Sequence, residues 1–230
     1  MFYWWGVIAS FCGCGTLWFS FYKFGGCTVE QGCSRTSLVH HIIAMVLGMM
    51  THYQYAEAIA EDASFAPNDQ FPLAVALQHF NLGYFLYDTC HVIIWDRKWL
   101  LHHTVAIAGY STSEISNVFG LANSVNTWIT ELGSLMYSAY LVLRTEQSYI
   151  GFVSLYSLTR LYLLYWCYEV LSQVWNAFQG KSKHTFPDWA PYCAATLQLL
   201  LVIVNITFLM THYRKLWKRY VKGEMPKKGE

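Results

Sequence analysis

The stretch LGYFLYDTCHVIIWDRKWLLHHTVAIAGY, from Leu82 to Tyr110, decides the fold. It is two apolar and aromatic blocks split by a short charged loop, Asp96, Arg97 and Lys98. Extended to 73–95 and 99–119, the blocks reach the roughly 20 residues a helix needs to cross a bilayer, and neither shows the alternation of a half-buried strand. Yet Asp88, His91, His102 and His103 lie inside them, where lipid makes an exposed polar group expensive. The stretch therefore predicts two membrane-spanning helices whose polar residues face protein.

Working outward, the same pattern recurs at about 2–22, 37–55, 121–143, 148–178 and 190–212, with the central pair covering 73–95 and 99–119. This predicts an all-α polytopic membrane protein of about seven transmembrane helices. The first run lacks a basic leader region and a small-residue cleavage site, so it reads as a retained helix. The turn between the fourth and fifth spans falls near Gly120. Only 13% of the 230 residues are charged, against about 25% in soluble domains, and 55% are hydrophobic. A net charge of +1 gives no basic groove, so nucleic acid is not an expected partner.

Placing the C-terminal tail in the cytoplasm puts twelve Lys and Arg residues on that side against two, Lys181 and Lys183, on the other, with Arg160 inside a span. Cys27 and Cys33, which share a loop, then lie in a reducing compartment, where no disulfide is expected. The terminal Lys227, Lys228, Gly229 and Glu230 have the form of a dilysine retrieval signal, which favours the endoplasmic reticulum; a generic anchor to anionic lipid is the other reading.

Polar residues recur at helical spacing on one face of several spans: Asn81, Tyr84, Asp88 and His91; His103, Tyr110, Glu114 and Asn117; Thr127, Glu131, Ser134 and Ser138. Such stripes predict a bundle or ring around a polar-lined cavity. At 1.5 Å per residue, His40, His41, Asp88, His91, His102 and His103 fall within roughly 5–11 Å of the cytoplasmic boundary and form one layer. His102, His103, Asp88 and His91 are the candidate catalytic residues, an imidazole being suited to moving a proton near neutral pH and a carboxylate three residues away to orienting it. His40, His41, Tyr84, Tyr110, Glu114 and Asn117 are candidates for the cavity wall. Glu131 and Arg160 come to similar depth near the midplane and are expected to form a structural pair. His52 and His79, nearer the other surface, are expected to be structural, and His184 and His212 are loop and boundary residues with no expected function. No metal is expected, because the two His-His pairs have no further His three or four residues away.

The Leu82–Tyr110 segment, with an Asp in one helix, a short charged loop and a helix opening on an His-His pair, resembles the TLC domain family. NTWITELGSLMYSAYLVLR, Asn126 to Arg144, is similar to that family's Glu-centred segment. The resemblance covers roughly residues 35–215, preceded by a first helix and loop at 1–34 and followed by a basic tail at 216–230. It implies six helices in a ring around a cavity, with one additional helix. In ceramide synthases of this family the His pair serves acyl transfer from acyl-coenzyme A, and it maps onto His102 and His103. Those enzymes carry two further aspartates soon after the pair. This chain has no Asp between Asp96 and Asp188, which argues against ceramide synthase activity and brings it closer to small TLC-domain proteins.

Two functions stay open on this reading. One is a protein that binds, senses or modifies membrane lipids, with acyl-coenzyme A a possible substrate and no cofactor required. The other is a non-catalytic structural or assembly subunit with other membrane proteins as partners.

Overall fold

The computed structural model describes residues 4–95 and 97–222, and among the described residues it is helical with no strand. Eight helices follow in order: α1 Trp4–Lys23, α2 Val29–Gln54, α3 Ala56–Asp62, α4 Pro72–Trp95, α5 Leu100–Ser116, α6 Gly120–Leu143, α7 Glu146–Phe178 and α8 Ala190–Leu216. The tail residues Lys227 and Lys228 lie outside the described residues. The boundaries expected at 34/35 and 215/216 fall within α2 and at the end of α8.

Three local features differ from the sequence-based expectation. α2 begins about two turns before Ser37, because Thr28 and Gln31 form a reciprocal capping box that supports a polar first turn invisible to hydropathy. A similar box between Thr145 and Ser148 starts α7. The loop after Tyr55 contains the short helix α3 and a 3-10 turn at Asn68–Gln70. Gly120 is the first residue of α6, and the turn before it is made by Asn117 and Phe119 at φ 56° and 71°. A bulky residue in that left-handed region is costly unless its surroundings hold it there. Phe119 is held: its N–H donates to the Ser64 carbonyl at 2.9 Å, and its ring packs on buried Phe65.

Helix α2 packs on α6, α6 on α7, α7 on α8, α8 on α5, α5 on α4, and α4 back on α2, while α1 lies against α4 and α2. Small residues allow the closest approaches, as in membrane helix pairs generally. A Cβ at Gly83 of α4 would sit 2.5 Å from the Val7 carbonyl of α1.

Large apolar side chains cover the outside of several helices, while polar ones are buried alongside the apolar core. Ile42, Val46 and Met49 of α2, Leu158, Leu161 and Tyr165 of α7, and Leu199, Ile203 and Ile206 of α8 are exposed. His40, Gln78, Asn81, His103, Glu131, Arg160, Gln198 and Asn205 are buried. Judged by length and composition alone, one helical run among the described residues, Ala190–Val221, is apolar enough to cross a membrane, with a mean hydropathy of 2.2 over its best window.

Candidate functional site

A cavity of about 1220 Å³ runs between the helices, and α2, α4, α5, α6, α7 and α8 all contribute to its wall. Its floor carries the residues that chemistry would need. His103 Nε2 of α5 lies 3.4 Å from Asp88 Oδ2 of α4, and the other ring nitrogen, Nδ1, lies 3.1 Å from the Thr89 hydroxyl. Thr89 has one proton, which it donates to the Phe85 carbonyl one helical turn back at 2.6 Å. It must therefore accept from His103, placing hydrogen on Nδ1 and leaving Nε2 to face Asp88. A bond between Nε2 and the carboxyl group then requires one further proton shared by the two. The two groups face each other beside an open cavity, where a proton supplied to one can pass to the other, the starting point for general acid–base chemistry.

Asp88 Oδ2 is also 3.3 Å from the Tyr84 hydroxyl, which is 2.9 Å from Ser37 of α2. His102 also lines the cavity, its ring near Trp99, Phe85 and His103. His91 reaches the cavity as expected, but Asp88 does not orient it. The carboxylate turns to His103, and His91 Nδ1 instead lies 3.3 Å from Cys33 Sγ, its ring between Trp18 and Tyr87. The i, i+3 spacing permitted an Asp88–His91 contact, but the partner one helix away won.

Among the expected wall residues, His41, Tyr84 and Tyr110 line the cavity. Tyr110 bonds with Thr127 at 2.8 Å and with Asn81 at 3.1 Å. His40, Glu114 and Asn117 do not line it. His40 is 2% exposed and lies flat on the Tyr84 ring, centroids 3.6 Å apart. Glu114 is turned toward the opposite end of the bundle, 3.2 Å from His79 Nε2 and 3.4 Å from Gln78 Nε2. Asn117 ends α5 in the left-handed conformation and gives its carbonyl to the Asn68 N–H.

The expected Glu131–Arg160 ion pair does not form. Glu131 of α6 takes His41 of α2 instead. Arg160 Nε donates to Asn205 Oδ1 of α8 at 2.5 Å, its Nη1 to the Thr130 carbonyl at 3.2 Å, and its guanidinium lies 3.8 Å from the Tyr156 ring centroid. Equal depth placed the two charges on one level of the cavity wall, but not on facing sides. A neutral amide, carbonyl and aromatic face satisfy the guanidinium without a carboxylate within ion-pair distance among the described residues.

Several wall residues carried weaker signals in the sequence. Thr89 was legible only as the neighbour of Asp88, and Asn205 as one polar residue in the apolar run of α8. Arg144, Lys215, Lys218 and Arg219 also border the cavity, at the end where α6 and α8 finish. His40, His41 and Glu131 offer ligand atoms that all lie within 4.8 Å of one another.

The TLC-domain family model matches residues 33–213, which takes in α4–α7 and most of α2 and α8. The chain belongs to the TLC-domain family. No curated protein and no solved structure matches it. The TLC domain is membrane-associated, and the exposed apolar faces of α2, α7 and α8 are consistent with an integral membrane protein. Within this TLC domain, Asp88, His102 and His103 stand together on the wall of one cavity.

Proposed function

We propose that this TLC-domain protein binds a membrane lipid in the cavity and senses or modifies it at the Asp88–His103 pair. On this reading seven helices cross the bilayer. Six of them, α2, α4, α5, α6, α7 and α8, form a ring around the cavity, and α1 lies outside. The closed circuit of helix contacts and the outward apolar faces support that arrangement. The single observation that carries the function is the 3.4 Å approach of Asp88 to His103 on the wall of a cavity large enough for a lipid chain. A buried pair with an adjustable proton, open to a lipid-sized space, is the feature that a purely structural subunit would have no use for.

The four basic residues at the end of α6 and α8 suit the anionic headgroup of a phospholipid or the phosphates of acyl-coenzyme A, with the acyl chain reaching inward. Residence in the endoplasmic reticulum, through Lys227 and Lys228, belongs to the same proposal. Exchanging both lysines for serine should release the protein to later compartments, whereas an unchanged location would leave that tail no addressing role.

The deciding experiment replaces His102 and His103 together by alanine and compares protein-bound and cellular lipids with wild type. A folded double variant with altered lipid composition supports the reading. A folded double variant with unaltered lipids moves the protein to the class of assembly subunits.

A further inference from the structure

The His41–Glu131 contact has a third member. His40, the neighbour of His41 on α2, is 2% exposed, and neither of its ring nitrogens has a hydrogen-bond partner among the described residues. A buried polar group left in that state costs roughly 1–3 kcal/mol, so an unpartnered imidazole in a packed wall marks a missing partner. Its ring is nevertheless firmly held, stacked on Tyr84 and on Phe80. One ligand atom from each of His40, His41 and Glu131 falls within 4.8 Å of the others.

We infer that His40, His41 and Glu131 form a binding site for a divalent transition-metal ion of the zinc type. Two imidazoles and a carboxylate are a known ligand set for zinc, with bonds of about 2.0–2.2 Å and therefore ligand atoms about 3.4 Å apart in a tetrahedron. Closing the triad around an ion needs movements of about 1 Å, within reach of side-chain rotation. Adjacent residues on a helix diverge by about 100°, so His40 and His41 cannot complete a site alone. Glu131 supplies the third ligand from α6, the helix packed against α2. His41 and Glu131 both border the cavity, so the fourth position opens toward it, where water or a lipid oxygen would bind. On binding, the ion takes the place of the proton between His41 and Glu131 and releases it. The site adjoins Asp88 through Tyr84, on which His40 stacks, but it takes no ligand from Asp88 or His103, and it holds whether or not that pair acts on a lipid.

The test uses the full chain, purified in detergent without chelator, incubated with Zn²⁺ and freed of excess, with zinc per chain then measured. Wild type should hold about one ion. His41→Gln and Glu131→Gln should each lower retained zinc by at least about tenfold at equal monodispersity. Asp88→Asn, on the same cavity but outside the triad, should retain it, which separates this site from the proposed lipid chemistry. Wild type that retains no zinc overturns the inference, and so does retention by both triad variants. If a variant fails to fold, wild type decides by itself: zinc should raise its melting temperature, and EDTA should reverse the rise.

Discussion

At one end of α4 and α5, Asn68 is 4% exposed and both the nitrogen and the oxygen of its side-chain amide are hydrogen-bonded. Its Nδ2 donates to the Ser113 carbonyl at 2.9 Å, and its Oδ1 accepts from the Gly120 N–H at 2.7 Å. Its backbone N–H meets the Asn117 carbonyl, also at 2.9 Å. At the other end of the same two helices, Asp88 and His103 make one long contact with each other and border a cavity. Both ends bury polar groups within a membrane protein. Saturated groups knit loops to helices and hold shape, whereas groups with unused capacity beside open space have room to bind or react.

The comparison predicts its largest stability effect at the saturated end. Asn68→Ala leaves the Gly120 N–H buried and unpaired and frees the turn that holds Asn117 and Phe119 at positive φ, so unfolding in detergent should become easier by about 3 kcal/mol. A loss below about 1 kcal/mol would show that this end is not the anchor its bonds suggest. Gly83→Ala comes next, at about 2 kcal/mol, because the added Cβ meets the Val7 backbone 2.5 Å away and backbone cannot yield as a side chain does. Since α1 contributes nothing to the cavity wall, that variant should keep its bound lipid. Losing the lipid along with α1 packing would make α1 part of the site.

A smaller effect tests which charges are partners. In a double-mutant cycle with chelator present, His41→Ala and Glu131→Gln should show a coupling of about 1 kcal/mol. Arg160→Met and Glu131→Gln should combine additively, within about 0.5 kcal/mol, as expected of residues that do not touch. The reverse pattern would restore the pairing expected from depth alone.

That reversal also marks what the sequence could tell. Helix positions were legible because apolar runs of about 20 residues have few other uses, and the Asp88, His102 and His103 group was legible from the family pattern and from depth. Depth is one coordinate of three. It put Glu131 and Arg160 level, but the azimuth of each helix face, set by packing, turned one to α2 and the other to α8. The same missing coordinate hid the triad, since no spacing within α2 announces that α6 will bring Glu131 to His40 and His41. Capping boxes at Thr28 and Thr145 were readable in principle, but they lie in polar segments that hydropathy treats as loop.

The smallest expected change in stability belongs to Asp88→Asn, and it carries the most information about chemistry. Thr89 fixes hydrogen on His103 Nδ1, so Nε2 is an acceptor, and the amide of an asparagine at position 88 can donate to it directly. The contact is kept, side-chain volume is nearly unchanged, and stability should move by less than about 0.5 kcal/mol. What disappears is the proton that Asp88 and His103 can share. If the pair acts on a lipid, Asp88→Asn should keep its bound lipid while the change in cellular lipids produced by wild-type expression is lost. Lipid profiles identical to those of wild type would show that no proton moves there, leaving the cavity a binding site whose polar wall, like Asn68 at the far end, serves only to hold.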